Sequence, residues 1–464
     1  MREYQMKYIW TICLVAAMGG LLFGYDWVVI GGAKAFYEPF FGLTGSEQTW
    51  QAGWAMSSAL AGCLGGAMLS GMLSDYLGRK ILLVGAAMLF TISSVWTALA
   101  DTYSSFIWAR IFGGIGIGLA SNVSPLYIAE TSPTEMRGRF VSINQLTIVI
   151  GVLAAQIVNW LIYEIAPVAK DASPEILLKS WNGQVGWRWM FGAEAVPATT
   201  FFVLALIIPE SPRWLLIKGR SEEARKLLTR IGGADYAEKE ITAVAATLKN
   251  VHNTVHYSEL FQPGLLKIIG LGFFLAIFQQ WCGINVIFNY AEEIFSAAGY
   301  DVSGMMFNIV ITGFVMLVAT FGAIGTVDKW GRRPLMLIGA GGLAITYTVL
   351  GFCYFLQLKG IAVLVTVLVA IAIYSMTLAP ITWVLLSEIF PNRIRGAAMS
   401  VCVSALWIGC FALTVSFKQI NTVLGSAGTF WMYAVICLAG FIVMLVRLPE
   451  TRGKTLEDIE RELN

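Results

Sequence analysis

The most constraining feature of this sequence is a succession of apolar stretches, each about twenty residues long or longer. A helix of about 20 apolar residues crosses the roughly 30 Å hydrocarbon core of a bilayer, because its backbone amides pair within the segment. The sequence therefore predicts membrane-spanning helices in two sets of six. Their expected bounds are 8–33, 50–73, 80–100, 104–129, 139–163 and 186–208, then 266–296, 303–327, 334–357, 361–389, 396–417 and 427–447.

The composition supports this interpretation. Charged residues make up 13% of the chain and hydrophobic residues 57%, with a mean hydropathy of +0.71. Soluble domains carry about 25% charged residues, so this chain is expected to contact a lipid bilayer. The net charge of +2 gives no reason to expect a nucleic-acid partner. The seven cysteines lie in apolar runs without CxxC or metal-ligand spacing, so neither a metal nor a cofactor is expected.

Short charged motifs occur twice along the chain, once in each set of stretches. The pairs are Asp75 to Lys80 with Asp328 to Arg333, Glu130 to Gly138 with Glu388 to Gly396, and Pro209-Glu210 with Pro449-Glu450. Such repeats predict two pseudo-symmetric halves around a central cavity, which suits alternating access. The expected organisation is an N-terminal six-helix half (1–208), cytoplasmic linker helices (209–265), a C-terminal six-helix half (266–448) and a cytoplasmic tail (449–464).

The distribution of positive charge predicts the orientation. Most of the 31 lysines and arginines fall on the side that holds both termini and the linker. Because cytoplasmic loops carry the excess of positive charge, both termini are expected in the cytoplasm. The opposite loops contain no usable Asn-x-Ser/Thr acceptor, which favours a bacterial inner membrane. The linker is expected to form short amphipathic helices, with Leu227, Leu228 and Ile231 as an apolar stripe.

Three ionisable residues stand out inside the apolar stretches: Asp26, Arg110 and Glu194. A charged residue in the middle of a membrane costs a few kcal/mol, so these side chains are expected to face the bundle interior and one another. Asp26 and Arg110 could form a buried pair, with Glu194 competing for the same guanidinium. Such a set suits a proton carrier, since a buried carboxylate takes up a proton when its cation turns away. The alternative is a fixed structural ion pair.

Several motifs resemble those of a known family. Gly71 to Lys80, repeated at Gly325 to Arg333, resembles the major facilitator superfamily signature. The sugar porter family is indicated by Pro209 to Trp214, Gly186 to Met190, Phe278-Gln279-Gln280, Leu385 to Pro391 and Pro449 to Lys454. Within that family the chain most resembles the bacterial D-xylose–proton symporters and, more distantly, the animal facilitative glucose transporters. The resemblance implies an all-α membrane protein with twelve transmembrane helices in two pseudo-symmetric halves, and proton coupling through an aspartate at the position of Asp26.

The repeated motifs also contain candidate gating residues. Cytoplasmic ion pairs are expected to form when the cytoplasmic mouth is shut, from Asp75, Arg79, Glu130, Arg137, Asp328, Arg332, Glu388 and Arg395. Within each half Glu130 could pair with Arg137, and Glu388 with Arg395. The alternative is a set of solvated loop charges worth at most about 1 kcal/mol each.

Amide and aromatic side chains form the candidate sugar site. Amides match sugar hydroxyls, aromatic rings match C–H faces, and Gly283 permits local unwinding of the seventh helix. On the positions where the family binds sugar, the expected residues are Phe23, Gln145, Gln279, Gln280, Asn285, Asn289, Trp383 and Trp407. The chain departs from the family pattern at Asn289, Met316, Ala379 and Leu406, which leaves the identity of the sugar open.

The sequence therefore predicts a proton-coupled symporter, working as a monomer, that imports a monosaccharide. Xylose is the first expectation, while glucose, arabinose and an inositol-like polyol stay open. One alternative is a uniporter of the same fold, in which the Asp26–Arg110 pair is structural. A non-transporting sugar sensor is the other, although such sensors usually carry long cytoplasmic tails.

Overall fold

The computed structural model describes residues 4–169, 173–249, 263–390 and 394–450. Throughout these ranges the regular secondary structure is helical, and no strand is formed. The helices are α1 (Met6–Phe40), α2 (Thr49–Leu77), α3 (Arg79–Ala98), α4 (Tyr103–Thr131), α5 (Arg137–Ile165), α6 (Pro174–Lys179), α7 (Trp187–Gly192), α8 (Ala195–Ile207), α9 (Pro212–Ile217), α10 (Ser221–Gly232), α11 (Ala234–Lys249), α12 (Pro263–Trp281), α13 (Ile284–Asn289), α14 (Ala291–Ala297), α15 (Val302–Trp330), α16 (Arg332–Phe355), α17 (Ile361–Met376), α18 (Leu378–Glu388) and α19 (Arg395–Arg447).

Eleven helical stretches in the described part of the chain are long and apolar enough to cross a membrane. The last of them, Ala398–Arg447, is 50 residues long, more than twice the length that one crossing needs. Gly425 divides it, because its backbone (φ 67°, ψ 171°) is not helical. The two parts of α19 therefore supply two crossings, and the expected all-α membrane fold with twelve transmembrane helices is confirmed.

Three of the crossings are built from shorter helices in succession. They are Asn182–Ile207, where a π-helical turn precedes α7 and α8, Leu265–Asn289, formed by α12 and α13, and Ile361–Leu386, formed by α17 and α18. The second is interrupted by Gly283, whose φ of 90° is left-handed. A membrane protein tolerates such breaks where they are buried in protein or line a cavity. Polar side chains of a binding site are therefore expected near these interruptions.

The contacts of the chain group it into two compact units. Unit 1 comprises Met1–Trp27, Ala61–Ala155 and Phe191–Thr254, and unit 2 comprises Val28–Leu60, Gln156–Met190 and Val255–Asn464. In unit 1, α3 packs against α4 and α8, whereas in unit 2 α12 and α16 pack against α19. Helix α1 contributes to both units, since the boundary follows Trp27. The predicted pair of six-helix halves rests on repeated motifs, not on contacts, and stays a prediction.

The linker contains the amphipathic helices that the sequence predicted. Leu227, Leu228 and Ile231 are all buried on α10, together with Ala224. The apolar stripe is thereby confirmed, and it places the polar face of α10 toward solvent.

Candidate functional site

Three charged side chains lie together in unit 1 and form what we call the Arg110 cluster. Asp26 is on α1, Arg110 is on α4 and Glu194 immediately precedes α8; their exposed fractions are 1%, 2% and 2%. Arg110 donates through Nη1 to the Asp26 carboxylate, and through Nη2 to the Asp26 backbone carbonyl at 3.1 Å. Its guanidinium also lies 5.2 Å from the ring centre of Phe191. The guanidinium is therefore held by hydrogen bonds to α1 on one side and by the ring of Phe191 on the other.

Close packing against α4 positions the Asp26 carboxylate. Gly113 lies about one turn beyond Arg110, and a Cβ there would be 3.1 Å from Asp26 Oδ2 and 2.4 Å from the Ser93 hydroxyl. A larger residue would push the carboxylate away from its arginine. The sequence did not single out this glycine.

The formal charges of the Arg110 cluster do not balance. Two carboxylates share one guanidinium, and within the described ranges no donor reaches Asp26 Oδ2 or Glu194 Oε1. The Ser94 hydroxyl lies beside the Glu194 carboxylate but donates to the backbone carbonyl of Phe90 at 2.6 Å. A fully ionised cluster would hold one uncompensated negative charge, which costs several kcal/mol in a dry interior. One bound proton removes that charge, so the arrangement can take up and release a proton.

The interruption at Gly283 brings the predicted amides of the seventh crossing together. Asn285, on α13, donates to the side-chain oxygen of Gln280, which in turn donates to Gln279 at 3.2 Å. Gln279 donates to the backbone carbonyl of Ala379 on α18 at 3.3 Å. The three amides thus form a chain across the break in the helix. A sugar hydroxyl can exchange with links of such a chain without leaving an amide unpaired.

The other predicted sugar-site residues lie on several helices. In unit 1, Phe23 packs edge-on against Trp27 with ring centres 5.8 Å apart, and Gln145 is half-buried on α5. In unit 2, Trp383 is 39% exposed and Trp407 is buried. Asn289 is also buried, and none of the described residues donates to its Oδ1. Their shared role in binding sugar stays a prediction.

The repeated motif at the start of α3 builds a charge network in unit 1. Arg79 donates to Glu130 through Nε at 2.9 Å and Nη2 at 3.1 Å, and pairs with Asp75 at 3.3 Å. The Ser211 hydroxyl also donates to Glu130, at 2.5 Å. Glu130 is therefore paired with Arg79 in this structure, not with Arg137, the partner expected from the spacing. A buried bidentate pair of this kind is stronger than an exposed one.

The same construction recurs in unit 2. Arg332 donates to Glu388 through Nη2 at 3.1 Å. The side chains of two predicted members of this network, Asp328 and Arg395, lie outside the described residues. Glu388 thus pairs with Arg332 at the start of α16, as Glu130 pairs with Arg79 at the start of α3.

A carboxylate binds the first turn of the helix in each repeat. Glu210 accepts from the backbone N–H of Arg79 at 2.9 Å, and Glu450 from that of Arg332 at 3.0 Å. Gly78 and Gly331 precede these helices with φ of 101° and 87°, and a Cβ would lie 2.3 Å from Glu210 and 2.7 Å from Glu450. The glycines are required by both the backbone angle and the close carboxylate.

A second ionic cluster, in unit 2, was missed by the sequence analysis; we call it the Lys34 cluster. Lys34, on α1, is 1% exposed, and its ammonium lies 3.0 Å from Glu292 and 3.3 Å from Glu38. It also contacts the carboxylate of Glu293. Lys418, on α19, pairs with Glu38 at 3.0 Å. Two ammonium groups therefore face three carboxylates.

The reason for the omission is the length of α1. The first crossing was expected to end at residue 33, which placed Lys34 in a loop, whereas α1 continues to Phe40. Lys34 and Glu38 are one helical turn apart and share a face. That spacing, and the adjacent Glu292 and Glu293 within the predicted stretch 266–296, were the available signals.

A helical multi-pass membrane protein with interrupted crossings and buried ionic clusters has the features of a membrane transporter. Comparison with known proteins makes the assignment specific. The chain belongs to the sugar (and other) transporter family, whose model matches residues 12–463. The resemblance to sugar porters is thereby confirmed.

Named relatives cover almost the entire chain. The arabinose–proton symporter of Bacillus subtilis strain 168 is 37% identical over 461 residues, 99% of this chain and 96% of the relative. The D-xylose–proton symporter of Escherichia coli K12 is 37% identical over 486 residues, with the same coverage. The inward-open structure of the E. coli xylose transporter XylE matches with a TM-score of 0.85 and 37% identity, over 98% of this chain and 99% of that one. The relatives are transporters, not enzymes.

Proposed function

We propose that this chain is a proton-coupled symporter that imports a monosaccharide, with xylose as the first candidate. The Arg110 cluster is the observation that carries the proposal, because its one excess carboxylate gives a membrane-buried place for a proton. The names of the arabinose–proton and D-xylose–proton symporter relatives support both the solute class and the coupling ion.

Asp26 is the proton carrier in this proposal. While Arg110 donates to it, the carboxylate is held ionised. When the guanidinium turns toward Glu194, that carboxylate releases its proton and becomes the partner of Arg110. Asp26 then loses its counter-charge in a dry site and takes up a proton, so the cluster stays neutral. Moving one charge through 100 mV supplies about 2.3 kcal/mol, which corresponds to roughly fifty-fold accumulation.

The amide chain of Gln279, Gln280 and Asn285 supplies the polar contacts for the sugar. Its links are held between two helical segments at the break near Gly283, so a change in those hydrogen bonds is transmitted to α13 and to α18. Phe23, Gln145, Asn289, Trp383 and Trp407 complete the site in the proposal, as aromatic faces and additional amides.

The gating networks complete the transport cycle. The Arg79–Glu130 and Arg332–Glu388 pairs act as cytoplasmic latches, together with the other predicted gating residues. The protein works as a monomer in a bacterial inner membrane with both termini in the cytoplasm, as the distribution of lysine and arginine favours.

The proposal is tested by uptake of labelled xylose, glucose, arabinose and inositol into proteoliposomes, with and without an inward proton gradient. Wild type is compared with Asp26→Asn and with Asp235→Asn, which neutralises an exposed carboxylate on α11. Wild type and Asp235→Asn should accumulate one of the solutes, whereas Asp26→Asn should only equilibrate it. Equilibration by all three proteins, unaffected by the gradient, would identify a uniporter.

A further inference from the structure

A groove of about 890 Å³ opens in unit 1 beside the N-terminal end of α1. Its walls come from α1, the start of α3, the end of α8 and the last turn of α10. The volume lies within the roughly 300–1,000 Å³ of sites that bind small molecules. None of the groups discussed above as proton, sugar or gating sites uses this space, apart from the neighbouring Glu210.

Three cations line the groove: Lys7, Lys80 and Arg230. Within the described residues, none of the side chains that line it is acidic, and none of the three cations forms an ion pair with a carboxylate. Glu210 approaches Lys80, but it accepts from the backbone N–H. Arg230 is held over the ring of Tyr8, 3.9 Å from its centre, which directs a guanidinium to the groove. The groove therefore offers concentrated positive charge that is not neutralised locally.

The remaining wall is apolar and partly exposed. Ile12 and Val15 are buried along one wall, whereas Leu204 and Ile207 form the other. Ile207 is 75% exposed, as expected for a side chain that contacts acyl chains. A ligand that fits has an anionic head and an apolar body.

We propose that this groove binds an anionic glycerophospholipid of the leaflet that faces the N-terminus. The phosphate lies among Lys7, Lys80 and Arg230, and an acyl chain follows Val15 and Ile207. Basic pockets between membrane helices bind anionic headgroups in this manner. Because Lys80 directly follows Arg79, the lipid is placed beside the Arg79–Glu130 network, whatever solute is transported.

The test is thermal unfolding of the purified chain in neutral detergent during titration with dioleoyl phosphatidylglycerol. Each basic residue near an anionic headgroup contributes about fivefold in affinity, so Lys7→Gln with Arg230→Gln should raise the half-saturating lipid concentration ~30-fold. The matched control, Lys226→Gln with Lys239→Gln, removes the same charge from exposed linker positions outside the groove and should behave as wild type. Lys7→Arg with Arg230→Lys keeps the charges and should also retain wild-type binding.

Three outcomes would overturn the proposal. Equal titration curves for the groove variant and its matched control would show that the lipid acts through net charge alone. An equal response to phosphatidylcholine would remove the requirement for a negative headgroup. Stabilisation by inorganic phosphate at the same concentrations would identify a site for free anions. If the groove variant does not fold, loss of phosphatidylglycerol binding by Lys7→Gln alone, measured by native mass spectrometry, decides the question.

Discussion

Helix α1 carries a member of each ionic cluster, Asp26 of the Arg110 cluster and Lys34 of the Lys34 cluster. Both clusters hold one carboxylate more than their cations can neutralise. They differ in access to water, because every member of the Arg110 cluster is at most 2% exposed. In the Lys34 cluster the side chains of Glu292, Glu293 and Lys418 are 26%, 23% and 21% exposed. Water can screen part of the excess charge in the second cluster, although Glu293 Oε2 is buried and accepts from no described donor. In the first cluster no member reaches solvent, so a bound proton is the proposed means of removing the charge.

The cations differ as well. The planar guanidinium of Arg110 directs two donors to one residue. Nη1 donates to the side-chain carboxylate of Asp26, and Nη2 donates to the Asp26 backbone carbonyl. Lys34 is a point charge that divides its three donors among carboxylates of α1 and α14. A guanidinium that binds one carboxylate at a time suits a change of partner between two carboxylates. An ammonium shared among several carboxylates suits the attachment of one helix to another. The difference supports the proposal that the first cluster couples protons, and it fits a structural role of the second in attaching α1 to α14.

The largest expected effect is that of Arg110→Met. It leaves Asp26 and Glu194 buried without a cation, and breaking a buried pair in this way costs about 3–5 kcal/mol. Thermal unfolding in detergent should show a lower transition temperature, partly restored at acidic pH as the carboxylates are protonated. A transition temperature equal to that of wild type would mean that water reaches this cluster, contrary to the burial described above.

Lys34→Met should cost less, about 2 kcal/mol, since Lys418 still compensates Glu38 and three members of the cluster reach solvent. The same unfolding measurement applies, with Lys226→Met as an exposed control. Because the second cluster is partly screened by solvent, added salt should reduce the difference between Lys34→Met and wild type. If Lys34→Met lowered the stability as much as Arg110→Met does, the two clusters could not be distinguished by their burial.

The two clusters also show what the sequence could predict. Asp26, Arg110 and Glu194 each interrupt a long apolar stretch, so hydropathy alone exposes them. Lys34 follows the predicted end of the first stretch by one residue, and helix ends are set by local backbone pairing that hydropathy does not resolve. The extension of α1 to Phe40 converts a loop lysine into a buried one. The pairing of Lys34 with α14 depends on packing between distant segments.

A similar limit applies to the gating and sugar residues. The repeats identified Arg79 and Glu130, and the spacing suggested Arg137 as the partner of Glu130. In the structure, α3 packs against α4 and Glu130 pairs with Arg79 instead. The amides of the seventh crossing were predicted together with the break at Gly283. Their order of donation was not, because side-chain direction beyond a left-handed residue cannot be read from helical periodicity.

Glu194→Gln should have a moderate effect and change the pH dependence of stability. In the proposed mechanism the folded Arg110 cluster keeps one proton that an unfolded carboxylate loses above about pH 4. Stability should then fall as the pH rises. The slope is at most about 1.4 kcal/mol per pH unit for one proton. In Glu194→Gln one carboxylate faces one guanidinium, so no proton is needed for neutrality. The contribution of the retained proton to the pH dependence of stability should therefore vanish. Unfolding transitions measured across the pH range should therefore become flatter than in wild type.

The smallest effect is expected from Glu293→Gln, the equivalent change in the Lys34 cluster. It also removes the excess carboxylate, leaving Glu38 and Glu292 with two lysines. The Glu293 side chain is 23% exposed, although burial of the carboxylate raises its pKa to about 7. Stability at neutral pH should change by less than about 1 kcal/mol. The fall in stability between about pH 4 and pH 7 should be weaker than in wild type, because Glu293 no longer retains a proton there, but this flattening should be smaller than that of Glu194→Gln. The uptake ratio with and without a proton gradient should also be unchanged. If this variant flattened the pH profile as strongly as Glu194→Gln, both clusters would bind a proton, and the stoichiometry of coupling would have to be measured for each separately.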